Sequence, residues 1–103
     1  MLTQQTVVVE NDKIIAVESG YKTPANGDQV IDLKNHTLMP GLMDMHTHFS
    51  TQMSPGTYTE DFFLNEADVA LRGATFAEKT LMAGFTTVRE LGDIHHTSTA
   101  LRK

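Results

Sequence analysis

The chain has 103 residues, 40% apolar and 20% charged, with a net charge of −5 and no cysteine. That balance excludes a disordered chain, and the scattered Lys and Arg exclude the basic patch of a nucleic-acid binder. With no thiol available, disulfides and thiolate ligands are excluded, so any metal held here falls to histidine and carboxylate.

No apolar run approaches the ~18 residues of a membrane-spanning helix, so no membrane contact is expected. Met1-Leu2-Thr3-Gln4-Gln5 lacks the basic segment and apolar core of a secretion signal. A cytoplasmic location is the expectation.

Thr6-Val7-Val8-Val9-Glu10 is a β-branched strand, and Ile14-Ile15-Ala16-Val17-Glu18 returns as its hairpin partner. Between them Asn11-Asp12-Lys13 makes the turn, because Asn and Asp tolerate the left-handed region. Residues 20–27, with Gly20, Pro24, Asn26 and Gly27, form a loop. Gln29-Val30-Ile31-Asp32-Leu33 is predicted as a third short strand, followed by a turn at Asn35-His36. These strands, over residues 1–38, are too few to bury a core of their own.

Leu38-Met39-Pro40-Gly41-Leu42-Met43-Asp44-Met45-His46-Thr47-His48-Phe49 carries the chemistry. It reads as a turn and then a strand over 42–48, with both faces expected to be buried as in parallel α/β sheets. Side chains at i and i+2 leave one face of a strand, with Cα atoms ~6.6–6.8 Å apart. His46 and His48 therefore point the same way, and two imidazoles so held can meet one metal ion at about 2.0–2.1 Å. Spacing alone does not establish a metal site, since histidines often fall close together by chance. The apolar strand adds weight, because burying two unpartnered imidazoles is costly.

Residues 50–64 form the loop after that strand. Its Phe62-Phe63 pair is expected to pack beneath the loop, with lining a substrate pocket as the alternative. Residues 66–83 are predicted helical, with Ala67, Ala70, Leu71, Ala74, Ala77 and Leu81 as the apolar stripe. Asn65 is the N-cap candidate and Gly84 the C-terminal glycine. Phe85-Thr86-Thr87-Val88-Arg89-Glu90-Leu91 is the next strand. Strand, helix and strand together predict a right-handed βαβ unit with a parallel pair.

Pro40 to Phe49 resembles the Pro-Gly-hydrophobic-hydrophobic-Asp-x-His-x-His motif of the amidohydrolase superfamily, where it forms the first strand of a (β/α)8 TIM barrel. Residues 30–41 are similar to that family's run-in, in which a small β-sandwich hands the chain to the barrel. Residues 83–93, Ala-Gly-Phe-Thr-Thr-Val-Arg-Glu-Leu-Gly-Asp, resemble its second barrel strand, most closely in the branch of Xaa-Pro dipeptidases and imidazolonepropionase-like proteins. The fold class implied is α/β. Residues 1–38 would be part of an N-terminal β-sandwich, and residues 39–103 the first strands and helix of the barrel. A TIM barrel takes ~250 residues, and the chain ends on Ala100-Leu101-Arg102-Lys103 as a helix with no stop signal. The expectation is an N-terminal fragment of a larger enzyme, inactive alone.

The resemblance implies hydrolysis of an amide or peptide C–N bond by metal-activated water, with an Xaa-Pro dipeptide as the first substrate choice. Alternatives are a cyclic amidine or ureide hydrolase or deaminase, or a truncated chain without catalysis. It implies Zn2+ or another divalent metal, one or two ions, with His46 and His48 as the ligands in this chain. The family's other ligands, a carboxylated lysine, two histidines and an aspartate, come from later strands, so no catalytic acid or base is expected here. The expected partners are a small-molecule or dipeptide substrate and further copies of the full-length protein. Relatives more often show Arg-Asp-Leu-Gly-Gly where this chain has Arg89-Glu90-Leu91-Gly92-Asp93. Neither Glu90 nor Asp93 is a metal ligand in that pattern, and both are read as structural, Glu90 with the potential to disturb an Arg89 ion pair. His95 and His96 are read as solvated loop residues, with a supporting role behind the ligands as the alternative. His36 is assigned to its turn.

Overall fold

The computed structural model describes residues 1–60 and 62–102. Two compact units form, Met1–Met39 and Pro40–Lys103.

In the first unit, β1 (Gln5–Glu10) pairs antiparallel with β2 (Lys13–Ser19). Glu10 faces Lys13, leaving Asn11 and Asp12 as a two-residue turn with φ of 48° and 62°. Both central residues of a type I′ turn need positive φ, which is why this dipeptide closes the hairpin. The register shifts between Val8, opposite Ala16, and Val9, opposite Ile14. Ile15 is the extra residue of a bulge, which adds local twist. At the open end Thr6 Oγ1 donates to Gly20 O at 2.7 Å and accepts from Lys22 N–H at 3.0 Å.

The strand expected at Gln29–Leu33 does not form. Asp32 Oδ1 accepts from Lys34 N–H at 3.0 Å, and His36 N–H donates to Leu33 O at 2.9 Å. These local bonds offer the backbone a turn in place of a ladder. The Lys34 N–H and ammonium together hold the Asp32 carboxyl below its usual range. Among the described residues no strand pairs with the exposed Val30 and Ile31. His36 is exposed in the turn, as expected.

In the second unit, β3 (Leu42–Thr47) and β4 (Phe85–Glu90) pair in parallel, joined through the short α1 (Thr57–Glu60) and the long α2 (Glu66–Met82). The short α3 (Thr97–Leu101) follows β4. This is the expected parallel pair with its connecting helix. A Cβ on Gly41 would overlap the Thr86 side chain, so glycine here lets the two strands start together.

Helix α2 begins where its cap dictates. Asn65 Oδ1 accepts from the N–H groups of Ala67 and Asp68, and Asp68 Oδ2 accepts from Asn65 N–H at 3.0 Å. This capping box satisfies donors that the helix itself leaves open. The helix stops at Met82, one residue before the predicted end, and Gly84 at φ 97° turns the chain into β4. A synthetic peptide of residues 63–85 carrying Asn65→Ala is expected to lose about 1 kcal/mol of helix stability. Circular dichroism reads this directly, and equal helicity in the two peptides would remove the cap from the account.

The packed face of α2 differs from the predicted stripe. Val69 and Gly73 are buried and Phe76, Ala77 and Thr80 half-buried, whereas Ala67, Ala70, Leu71, Ala74 and Leu81 are exposed. Gly73 explains the shift. A Cβ there would lie 2.7 Å from Thr97 Cγ2 and 3.2 Å from Phe49 O, so the glycine admits α3 and the post-β3 loop against the helix. The expected double burial of β3 is not found, since Leu42, Met43 and Met45 are all exposed. A two-stranded sheet leaves one edge of each strand unpaired and cannot cover both faces. Phe62 and Phe63 do not pack beneath their loop either, being 83% and 82% exposed. The loop is held instead by the Arg72–Glu60 ion pair at 3.1 Å.

Candidate metal centre

Strand β3 ends at Thr47, one residue short of the predicted 42–48, and its His46 meets His48 just beyond it. His46 Nε2 and His48 Nε2 lie 3.2 Å apart, with ring centroids at 5.1 Å and planes inclined by 69°. Both side chains are exposed at the end of the strand. The approach is helped by an irregularity in the ladder. Asp44 faces Val88 and Thr47 faces Glu90, so Met45 and His46 together oppose Arg89. His46 N–H bonds to Asp44 Oδ1 at 2.9 Å, within its own strand. Such a bulge re-aims a side chain.

His48 is held from behind. Its Nδ1 is 3.3 Å from Gly92 O. A carbonyl only accepts, so Nδ1 carries the hydrogen and Nε2 presents a lone pair. Gly92 is also what lets the loop approach the ring, because a Cβ there would lie 2.9 Å from both Cε1 and Nδ1 of His48. In the intact protein, Gly92→Ala is expected to push the ring aside and weaken divalent-metal binding ~10–100-fold, the range for losing an outer hydrogen-bond partner. Chelator competition measures this, and an unchanged affinity would contradict the role given to Gly92.

Glu90, at the end of β4, joins the two post-strand loops. Its Oε2 accepts from Phe49 N–H at 2.6 Å and its Oε1 from Gly92 N–H at 2.9 Å. Oε1 also lies 3.4 Å from His48 Nδ1. Glu90 is thus structural, as read from the sequence, but its partners are backbone amides. Among the described residues Arg89 forms no ion pair for it to disturb. Nearness to His48 was not read from the sequence, where the two residues stand 42 positions apart.

Asp93, in the loop before α3, accepts from Ser98 N–H at 3.1 Å and Ser98 Oγ at 2.8 Å. Partial desolvation raises its pKa, but the Ser98 hydroxyl and the N–H groups of Ser98, Thr99 and Thr97 outweigh it, and the carboxyl sits below its usual range. A depressed carboxylate supports the fold above its unfolded pKa, and that support fades as pH falls through the lowered value. His95 and His96 are exposed loop residues with φ of 57° each, and His95 Nδ1 lies 3.4 Å from Glu66 rather than near the pair on β3.

The two-histidine arrangement fits a metal ion. An ion about 2.0–2.1 Å from nitrogens 3.2 Å apart subtends an angle of about 100–105°, near tetrahedral. Among the described residues no cluster of three or more His, Asp or Glu is placed to hold an ion. The pair by itself offers two ring nitrogens as donors. An open groove of about 400 Å³ runs past it, lined by Asp44, Thr47, Phe49 and Phe76 among others.

The profile of the amidohydrolase family matches residues 37–103. A dihydroorotase of Pediococcus pentosaceus is 34% identical over 88 residues, 85% of this chain and 17% of that protein. A 5'-deoxyadenosine deaminase of Methanosarcina mazei is 44% identical over 61 residues, 59% of this chain and 13% of that protein. A crystal structure of a Xaa-Pro dipeptidase with methionine bound in its active site superimposes with a TM-score of 0.81 at 32% identity, covering 93% of this chain and 23% of that one. The chain thus spans under a quarter of the length of each of these relatives. The profile match takes in the His46–His48 strand, α2 and β4 together, and on that match the chain belongs to the amidohydrolase family.

Proposed function

We propose that this chain is the opening part of a metal-dependent hydrolase that cleaves an amide C–N bond, with Xaa-Pro dipeptides as the leading substrate class. In this reading residues 1–38 contribute to a β-sandwich, and residues 39–103 begin a (β/α)8 barrel whose remaining strands lie elsewhere in the full-length protein. The observation that carries the reading is the 3.2 Å approach of the His46 and His48 Nε2 atoms at the end of a parallel barrel-type strand. The likeness to the Xaa-Pro dipeptidase structure supports the choice of substrate.

His46 and His48 would hold a divalent ion, zinc being the first choice for imidazole ligands. Such an ion supplies Lewis acidity, activating water near neutral pH and polarising the scissile carbonyl. The chain's own residues prepare the site. Asp44 Oδ1 fixes the His46 backbone N–H, Gly92 O takes the His48 Nδ1 hydrogen, and the His48 Nε2 lone pair is left facing His46 Nε2. A second reading, hydrolysis or deamination of a cyclic ureide or amidine, is favoured by the relatives named dihydroorotase and 5'-deoxyadenosine deaminase.

The test is a substrate panel on the full-length, zinc-loaded protein, setting Xaa-Pro and other dipeptides beside cyclic ureides and adenine nucleosides. Dipeptide hydrolysis abolished by a chelator is the expected result. Turnover of only the cyclic substrates would replace the first reading by the second, and no turnover of any would overturn both.

A further inference from the structure

Glu90 is placed to do more than tie loops. It stands opposite Thr47 in the parallel ladder, so its side chain rises where β3 hands over to His48. Its side chain is only 12% exposed, whereas the His48 side chain is 43% exposed. One oxygen is committed to Phe49 N–H, the residue directly after His48, at 2.6 Å. The other is committed to Gly92 N–H at 2.9 Å, in the residue whose carbonyl receives His48 Nδ1. The remaining lone pairs of that second oxygen lie 3.4 Å from Nδ1 itself. Glu90 therefore controls the backbone after His48, the acceptor behind His48, and the electrostatic potential at the ring.

We propose that Glu90 is a positioning residue for the metal ligand His48, orienting its ring through Phe49 and Gly92 and enriching Nε2 through its negative charge beside Nδ1. Charge-assisted bonds to N–H groups are short and about twice as strong as neutral ones, which matches the 2.6 Å contact to Phe49. A carboxylate next to the far nitrogen of a ligating imidazole fixes its tautomer and raises its basicity. Reach matters as well as charge. An aspartate on β4 is one methylene shorter, so in the same backbone its carboxylate is drawn back from the Phe49 and Gly92 N–H groups. The proposal rests on the reading of His46 and His48 as metal ligands.

The experiment is metal titration of the full-length protein. Zinc and cobalt affinities come from chelator competition, and the cobalt absorption spectrum reports ligand geometry. Wild type is set beside Glu90→Gln, Glu90→Asp, Glu90→Ala and His48→Ala, with circular dichroism to verify folding. Glu90→Gln keeps the volume and one accepting oxygen, so it serves if Glu90→Ala fails to fold. Glu90→Gln and Glu90→Asp are expected to bind metal ~10–100-fold more weakly, as for other outer partners of ligating histidines, with a shifted cobalt spectrum. Affinity and spectrum unchanged in folded Glu90→Gln and Glu90→Asp, with only the melting temperature lowered, would overturn the positioning role and leave the ligand assignment standing. If His48→Ala binds metal as wild type does, the ligand assignment itself fails, and the Glu90 proposal with it.

Discussion

His46→Ala and His48→Ala, each made in the full-length protein, are expected to lose metal and about a thousandfold in activity. The basis is the convergence of the two Nε2 atoms at 3.2 Å, which leaves neither ring replaceable by its neighbour. A catalytic zinc keeps about three protein ligands, so removing one takes away a large share of the binding. The Lewis acidity lost is worth several kcal/mol, and about 4 kcal/mol corresponds to a thousandfold in rate. The loss of metal should exceed that of the Gly92→Ala variant, since a ligand matters more than its support. Near-normal zinc content and turnover in both single variants would refute the site.

The 103-residue chain expressed alone is expected to melt without a cooperative transition, to self-associate, and to show no hydrolysis. Val69 is the one buried apolar side chain among the described residues. So little burial cannot offset the ordering entropy of the backbone, at about 25 cal/mol per Å². Unpaired strand edges and exposed Met43, Met45 and Leu71 invite association. Two histidines alone bind zinc too weakly to drive folding. Calorimetry and sedimentation with and without zinc measure this. A sharp two-state transition in a monomeric sample would contradict the energetic argument.

Local rules were legible in the residues and long-range ones were not. Asn11-Asp12 made its hairpin because both residues accept positive φ. Asn65 and Gly84 bounded α2 because capping depends on neighbours within a few positions. Alternation along Asp44, His46 and His48 put the rings on one side, although the bulge at Met45–His46 that sharpens their approach left no trace in the spacing. Gln29–Leu33 failed as a strand because a strand exists only with a partner, and Asp32 had a nearer donor in Lys34. The inner face of α2 was misassigned because alanines mark small size rather than direction, and Gly73 decided which side comes close. Glu90 was read as structural without its neighbour, since Glu90 and His48 are 42 positions apart in sequence and only the parallel register brings them together.

In the proposed site His46 and His48 bind one ion through their Nε2 atoms. Anomalous diffraction at the zinc edge from crystals of the full-length, zinc-loaded protein tests it most directly. A peak is expected about 2.0–2.1 Å from both nitrogens, with His48 Nδ1 still directed at Gly92 O. A zinc peak ligated elsewhere, with either ring turned away from it, would contradict it.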